Sequence, residues 1–137
     1  MRNLNLKGKC LCGSIVFKTS GNHRDVINCH CVQCLKTNGN YVAATKVLEN
    51  DIKFLKKTTL RWYRSSKRAK RGFCSKCGAS IFFKILNTNT ISIFAGIFDK
   101  PTKLKTTMDI FVEGKSDYYQ LNKKNKIYKK FPKELIS

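Results

Sequence analysis

Acidic residues are scarce in this 137-residue chain: 8 Asp and Glu stand against 28 Lys and Arg, for a formal net charge of +20. Long apolar runs are missing too. The longest nearly apolar stretch, residues 91–98, falls far short of the roughly 20 residues that a spanning helix needs, so no membrane partner is expected. The first seven residues lack the apolar core of a secretory signal, which points to a cytoplasmic protein. No repeat, low-complexity linker or composition break divides the sequence. Residues 1–137 are therefore read as a single domain with a basic tail over 122–137. The chain does have 42% hydrophobic and 11% aromatic residues, too many for disorder and enough for a sizeable core.

The charge admits two readings. Lys outnumbers Arg 22 to 6 and Asn occurs 11 times. Lys, Asn and Ile have AT-rich codons, so a biased genome supplies much of this charge without any binding role. A functional basic face would instead serve nucleic acid, an acidic protein surface or an anionic small molecule. The densest basic stretches, 61–71 and 123–133, are interleaved with Trp62, Tyr63, Tyr128 and Phe131. Such interleaving suits base stacking, and equally a strand with one buried face. The strand reading is the expectation for residues 61–64.

Seven cysteines, an odd number, fall in three tight groups: Cys10 and Cys12, then Cys29, Cys31 and Cys34, then Cys74 and Cys77. A disulfide framework would leave one over, and a chain without a secretory signal belongs to a reducing compartment, where such groups bind metal. Soft thiolates in this pattern suit zinc. Gly13 and Gly78 each follow the last cysteine of a group, where a sharp turn lets backbone N–H groups face sulfur. Seven thiolates divide as four plus three. A four-thiolate zinc is closed and structural; a three-ligand zinc keeps a position open for chemistry. In one partition Cys29, Cys31 and Cys34 form the open set, and Cys10, Cys12, Cys74 and Cys77 the closed one. In the rival partition, Cys31 and Cys34 join Cys74 and Cys77 as in a zinc ribbon, leaving Cys29 with Cys10 and Cys12. Spacing does not choose between them. His30, flanked by two ligand candidates, is a candidate fourth ligand, proton shuttle or hydrogen-bonded brace; an ordinary, partly exposed histidine is the slightly favoured expectation. His23, in the turn-like segment 20–23, receives no role.

The rest of the chain reads as strands. Segments 14–18, 25–28, 41–45, 52–55, 60–64, 69–73, 79–85, 90–95 and 109–112 are short, β-rich and separated by turn residues, which predicts an all-β domain. Only residues 31–38, ending at Gly39, predict a helical turn. The tail from Asn122 is expected to be loosely held, pinned by Tyr118, Tyr119 and Phe131.

The runs Gly8-Lys9-Cys10-Leu11-Cys12-Gly13-Ser14-Ile15, Cys29-His30-Cys31-Val32-Gln33-Cys34 and Arg71-Gly72-Phe73-Cys74-Ser75-Lys76-Cys77-Gly78-Ala79 resemble the glutathione-dependent formaldehyde-activating enzyme family, which includes the centromere protein V domain. Residues 95–101 and 109–119 fit as well, so the resemblance spans residues 8–119. It implies a β-tent (Mss-like) fold of small antiparallel sheets clamped by zinc. It also implies two zinc ions: a structural one on Cys10, Cys12, Cys74 and Cys77, and a catalytic one, with an open position, on Cys29, Cys31 and Cys34. The implied activity is that of a carbon–sulfur lyase acting on a small thiol or thiol–aldehyde adduct, as in forming S-hydroxymethylglutathione from glutathione and formaldehyde. The alternative is a basic zinc-stabilised module that binds nucleic acid or an acidic protein surface without catalysis. Three thiolates on a divalent ion carry a net −1, which favours holding a sulfur over activating water. Asp99 is either an acid/base group or a turn residue ahead of Pro101.

Overall fold

The computed structural model describes residues 2–133. The chain runs β1 (Arg2–Asn3), β2 (Leu6–Lys9), β3 (Ile15–Thr19), β4 (Asn22–His23), β5 (Val26–Cys29), α1 (Val32–Asn38), β6 (Val42–Leu48), β7 (Ile52–Lys57), β8 (Leu60–Arg64), β9 (Ala69–Cys74), β10 (Ser80–Ile85), β11 (Thr90–Phe94), β12 (Thr106–Ile110) and β13 (Lys126–Ile127). It is mostly β, as expected. Among the described residues no helix is long and apolar enough to cross a membrane.

The strands form three sheets: an eight-stranded one in the order β13-β12-β5-β6-β11-β10-β9-β8, a three-stranded one, β2-β3-β7, and the pair β1-β4. Pairing is antiparallel except around β12, which lies parallel to β5 and β13. The core fills the space between the two larger sheets. Strand β3 alternates, burying Ile15, Phe17 and Thr19. Phe17 packs against Phe54, Phe82 and Phe98, with ring centroids 5.3–6.1 Å apart. Gly8 makes this possible: a Cβ there would lie 2.8 Å from the Phe17 ring. Trp62 stacks on Phe82 at 5.7 Å, so β8 is the half-buried strand expected of residues 61–64. A smaller cluster of Ile27, Met108 and Ile110 lies beneath Cys29.

The structure differs from the expectations in three places. The strand expected at 109–112 ends at Ile110, because Phe111 takes a left-handed conformation (φ 54°) and the chain turns into a 3-10 segment, Val112–Gly114. Strands β1, β2, β4 and β13 were not expected. The tail, expected to be loosely held with Phe131 among its pins, docks through residue 131: Phe131 does pack on Phe111, and beyond that expectation β13 pairs with β12 and the Tyr128 N–H donates to the Asp109 carbonyl (2.9 Å). Residues 134–137 of that tail lie outside the described residues.

Candidate metal centres

Two matching turns build the first cluster. Strand β2 delivers Cys10 into a turn at Gly13 (φ 79°), whose N–H donates to the Cys10 carbonyl; β9 ends on Cys74 and turns at Gly78 (φ 76°), whose N–H donates to the Cys74 carbonyl. The four Sγ atoms of Cys10, Cys12, Cys74 and Cys77 all lie within 4.8 Å of one another. Cys12 Sγ is 3.6 Å from Cys10 Sγ and 3.7 Å from Cys74 Sγ. Four sulfurs at ~2.3 Å around a tetrahedral ion stand about 3.8 Å apart, so the set fits a metal ion. Backbone N–H groups of Ile15 and Cys77 donate to Cys10 and Cys74 at 3.3 and 3.4 Å. The Thr59 hydroxyl lies 3.2 Å from Cys74 Sγ, and Ser14 Oγ 2.9 Å from Cys12 Sγ. Burial pushes the Cys74 thiol up, but hydrogen bonds from the Thr59 and Ser14 hydroxyls and the Cys77 and Lys76 N–H groups together outweigh it and bring the group down to about 5.

The second cluster forms where β5 meets α1. Cys29 ends β5. Cys31 is the N-cap of α1 (ψ 155°), with its Sγ accepting the Cys34 N–H at 3.3 Å, and Cys34 lies buried in the first turn. The three Sγ atoms lie within 4.8 Å of one another, and among the described residues no fourth Cys, His, Asp or Glu joins them. This is the partition with Cys29, Cys31 and Cys34 as the three-sulfur set; the zinc-ribbon pairing of Cys31 and Cys34 with Cys74 and Cys77 is not formed. Thiols this close share one charge: bonds from Cys29 and Cys34 hold Cys31 down to about 2, while the same exchange, then burial, pushes Cys29 up. Gly114 lets the 3-10 segment close over the loop, since a Cβ there would lie 2.9 Å from the His30 carbonyl oxygen.

His30 is only 1% exposed, which corrects the expectation of a partly exposed residue. Its ring points away from the sulfurs. Nε2–H donates to Asp109 Oδ1 at 2.7 Å, Nδ1 lies 2.7 Å from the Tyr119 hydroxyl, and the ring stacks on Tyr119. With both nitrogens engaged, His30 is a brace and not a fourth ligand. His23 is also fully buried, with Nε2 2.7 Å from Thr19 Oγ1 and Nδ1–H donating to the Gly21 carbonyl at 2.8 Å. Asp99 is exposed, and its backbone N–H donates to Lys7; it lies outside the cavity described next.

A cavity of about 350 Å³ opens beside Cys29, Cys31 and Cys34. Arg71, 5% exposed, reaches in from β9. Its Nη2–H donates to Cys34 Sγ (3.5 Å) and Gln33 Oε1 (3.3 Å), Nη1–H donates to Thr37 Oγ1 (3.5 Å), and the guanidinium lies over the Phe83 ring. Sequence reading missed Arg71, Asp109 and Tyr119 as site residues. Each stood inside a quoted motif, but nothing in the spacing tied them to the sulfurs.

The model of the family described as glutathione-dependent formaldehyde-activating enzyme matches residues 5–114. Comparison with curated proteins finds no match. Among solved structures, a Rhodobacter sphaeroides protein is similar, with a TM-score of 0.59 and 18% identity over 74% of this chain and 99% of that one. At that identity the likeness is one of fold. With a match that takes in both sulfur clusters, the chain belongs to the glutathione-dependent formaldehyde-activating enzyme family.

Proposed function

We propose that the protein is a zinc-dependent carbon–sulfur lyase-like enzyme that joins a small thiol to formaldehyde, as in the formation of S-hydroxymethylglutathione. The observation that carries this reading is the convergence of three sulfurs, without a fourth protein ligand among the described residues, on the wall of a cavity. Cys29, Cys31 and Cys34 would hold one zinc; Cys10, Cys12, Cys74 and Cys77 would hold a second, closed and structural. Zinc at the three-sulfur cluster would supply the acidity that a free thiol, with a pKa of about 8.5, lacks at neutral pH. Arg71 lies against Cys34 and offsets one thiolate charge. His30, Asp109 and Tyr119 fix the ligand loop from behind. In the reaction the substrate sulfur's lone pair forms the new S–C bond, the carbonyl π pair moves to oxygen, and the thiol proton ends on that oxygen; the reverse reaction returns thiol and aldehyde. On this reading residues 1–137 form one cytoplasmic domain, and the sheets form a β-tent clamped by the four-sulfur zinc.

Two zinc ions per chain are expected by elemental analysis. Cys31→Ser should lose one of them together with turnover of a thiol–formaldehyde adduct; loss of one zinc at an unchanged rate overturns the assignment. One observation favours the alternative of a basic binding module. Lys7, Lys18 and Lys53 stand directly opposite one another across β2, β3 and β7, all exposed. DNA retention that falls steeply with salt is that reading's signature.

A further inference from the structure

The sheet register arranges the cavity as a trough with two chemically different ends. Val42 faces Cys29, and Ala44 faces Ile27 across the β5–β6 pair. Lys46 lies two residues further along the same face of β6, opposite Ser92. All six residues line the cavity. Four residues of strand separate Val42 from Lys46, about 13 Å, so the sulfurs lie at one end and Lys46 toward the other. Arg24 lies beside Lys46, its backbone N–H donating to the Lys46 carbonyl at 3.0 Å. Between the ends the wall is largely apolar, including Ile27, Val42, Phe83, Phe94 and Ile110.

Three cations line this trough, Arg24, Lys46 and Arg71, and among the described residues no Asp or Glu does. Arg71 is committed to the sulfur end. Arg24 donates to neutral acceptors, the carbonyls of Ala44 (2.9 Å) and Asp25 (3.2 Å), while the Asp25 carboxylate lies 3.5 Å from Arg2. The Lys46 ammonium has no hydrogen-bond or ion-pair partner among the described residues. Burial holds Arg24 down to about 10 against the opposing pull of the Asp25 carboxylate, and burial together with the Arg24 charge lowers Lys46. Two neighbouring, partly desolvated cations disfavour each other, and an anion placed between them relieves both.

We propose that the substrate of this site is an apolar thiol, or its aldehyde adduct, that ends in a carboxylate and carries no ammonium. Its sulfur goes to Cys29, Cys31 and Cys34, and its carboxylate, on the order of 10 Å away, goes to Arg24 and Lys46. This rests on the reading of the three-sulfur cluster as an open sulfur site. Glutathione has carboxylates for the two cations, but its ammonium would enter a lining that holds three cations and, among the described residues, no carboxylate, and its amides would face apolar wall.

The test is calorimetric binding to the zinc-loaded protein. The probes are 6-mercaptohexanoate, 6-mercaptohexanol, 6-aminohexanethiol and glutathione. The acid is expected to bind at least tenfold tighter than each of the others, and Lys46→Gln is expected to remove most of its advantage over the alcohol. Equal binding of acid and alcohol by the wild-type protein overturns the proposal, as does an acid preference untouched by Lys46→Gln. If the acid is preferred but its formaldehyde adduct is not turned over, the reaction falls and the substrate class stands. If glutathione binds as tightly as the acid and is turned over, the reaction stands and the substrate class falls.

Discussion

His30 lies between two sulfur donors and gives its ring to neither. Its imidazole joins Asp109, 2% exposed, whose Oδ2 also accepts from Asn125 at 3.0 Å. One buried carboxylate therefore ties the ligand loop to β12 and to the docked tail. Hydrogen-bonded partners behind metal ligands typically change metal affinity 10–100-fold when removed. Asp109 bonds His30 and not a sulfur, so Asp109→Ala should weaken zinc binding at Cys29, Cys31 and Cys34 toward the low end of that range, about tenfold, leaving the four-sulfur zinc in place. It should also lower stability by ~1–3 kcal/mol, because His30 loses a buried partner. Asp109→Asn, which keeps an acceptor for His30, should lose less of both. A chromophoric chelator competition separates the two zinc ions, and equal zinc affinity in Asp109→Ala and wild type would refute the brace. The cysteines were legible in the sequence because metal ligands cluster locally. The brace was not, because Asp109 and Tyr119 lie 79 and 89 positions from His30 and become its neighbours only once β12 pairs with β5.

Strand β9 serves both clusters: Arg71 reaches Cys34, and Cys74, three residues on, belongs to the four-sulfur set. Gly72 between them fits under Phe82 and Trp62, where a Cβ would lie 3.1 Å from either ring. The four-sulfur set joins the turn after β2 to the turn after β9, segments more than sixty residues apart that lie in different sheets. The three-sulfur set joins only a strand end to the helix that follows it. Structural zinc contributes on the order of 10–16 kcal/mol in small zinc-finger peptides. Cys77→Ser should therefore unfold or aggregate the protein, whereas Cys34→Ser should keep its circular dichroism and melt cooperatively while losing turnover. Identical melting of the two variants would refute this division of labour. Most of the longer strands were legible, because β-branched and aromatic residues alternate in them. Strands β1, β4 and β13 have two residues each and no apolar pattern; they form only because their backbone groups meet a partner distant in sequence. The end of β12 was misplaced by two residues because Phe111 has a strand former's side chain but a left-handed backbone.

At the scale of the whole molecule the dominant force not absorbed by the site is self-repulsion. With a net charge of +20 and 8 acidic residues in the sequence, most cations have no counter-charge. Some of those few acids are already committed: Asp109 to His30, Asp25 near Arg2, and Glu49 to the buried Lys84. The repulsion is sharpest at Lys7, Lys18 and Lys53. Directly opposed side chains across a sheet are ~5 Å apart, and like charges there cost roughly 0.2–1 kcal/mol per pair. The screening length is about 10 Å at 0.1 M salt and about 3 Å at 1 M, so a contact of this kind is only partly screened at moderate salt and continues to gain above it. The melting temperature of the zinc-loaded protein should therefore rise by roughly 5 °C from dilute buffer to about 0.5 M sodium chloride, given that ~1 kcal/mol corresponds to several degrees at this size. Salt also strengthens apolar burial, so the rise alone does not identify its source. Lys18→Gln does, because Lys18 is the middle of the ladder and its removal deletes both repulsive pairs. That variant should melt higher than wild type in dilute buffer and gain less from added salt, the two curves converging at high ionic strength. Parallel curves would place the salt effect outside the ladder.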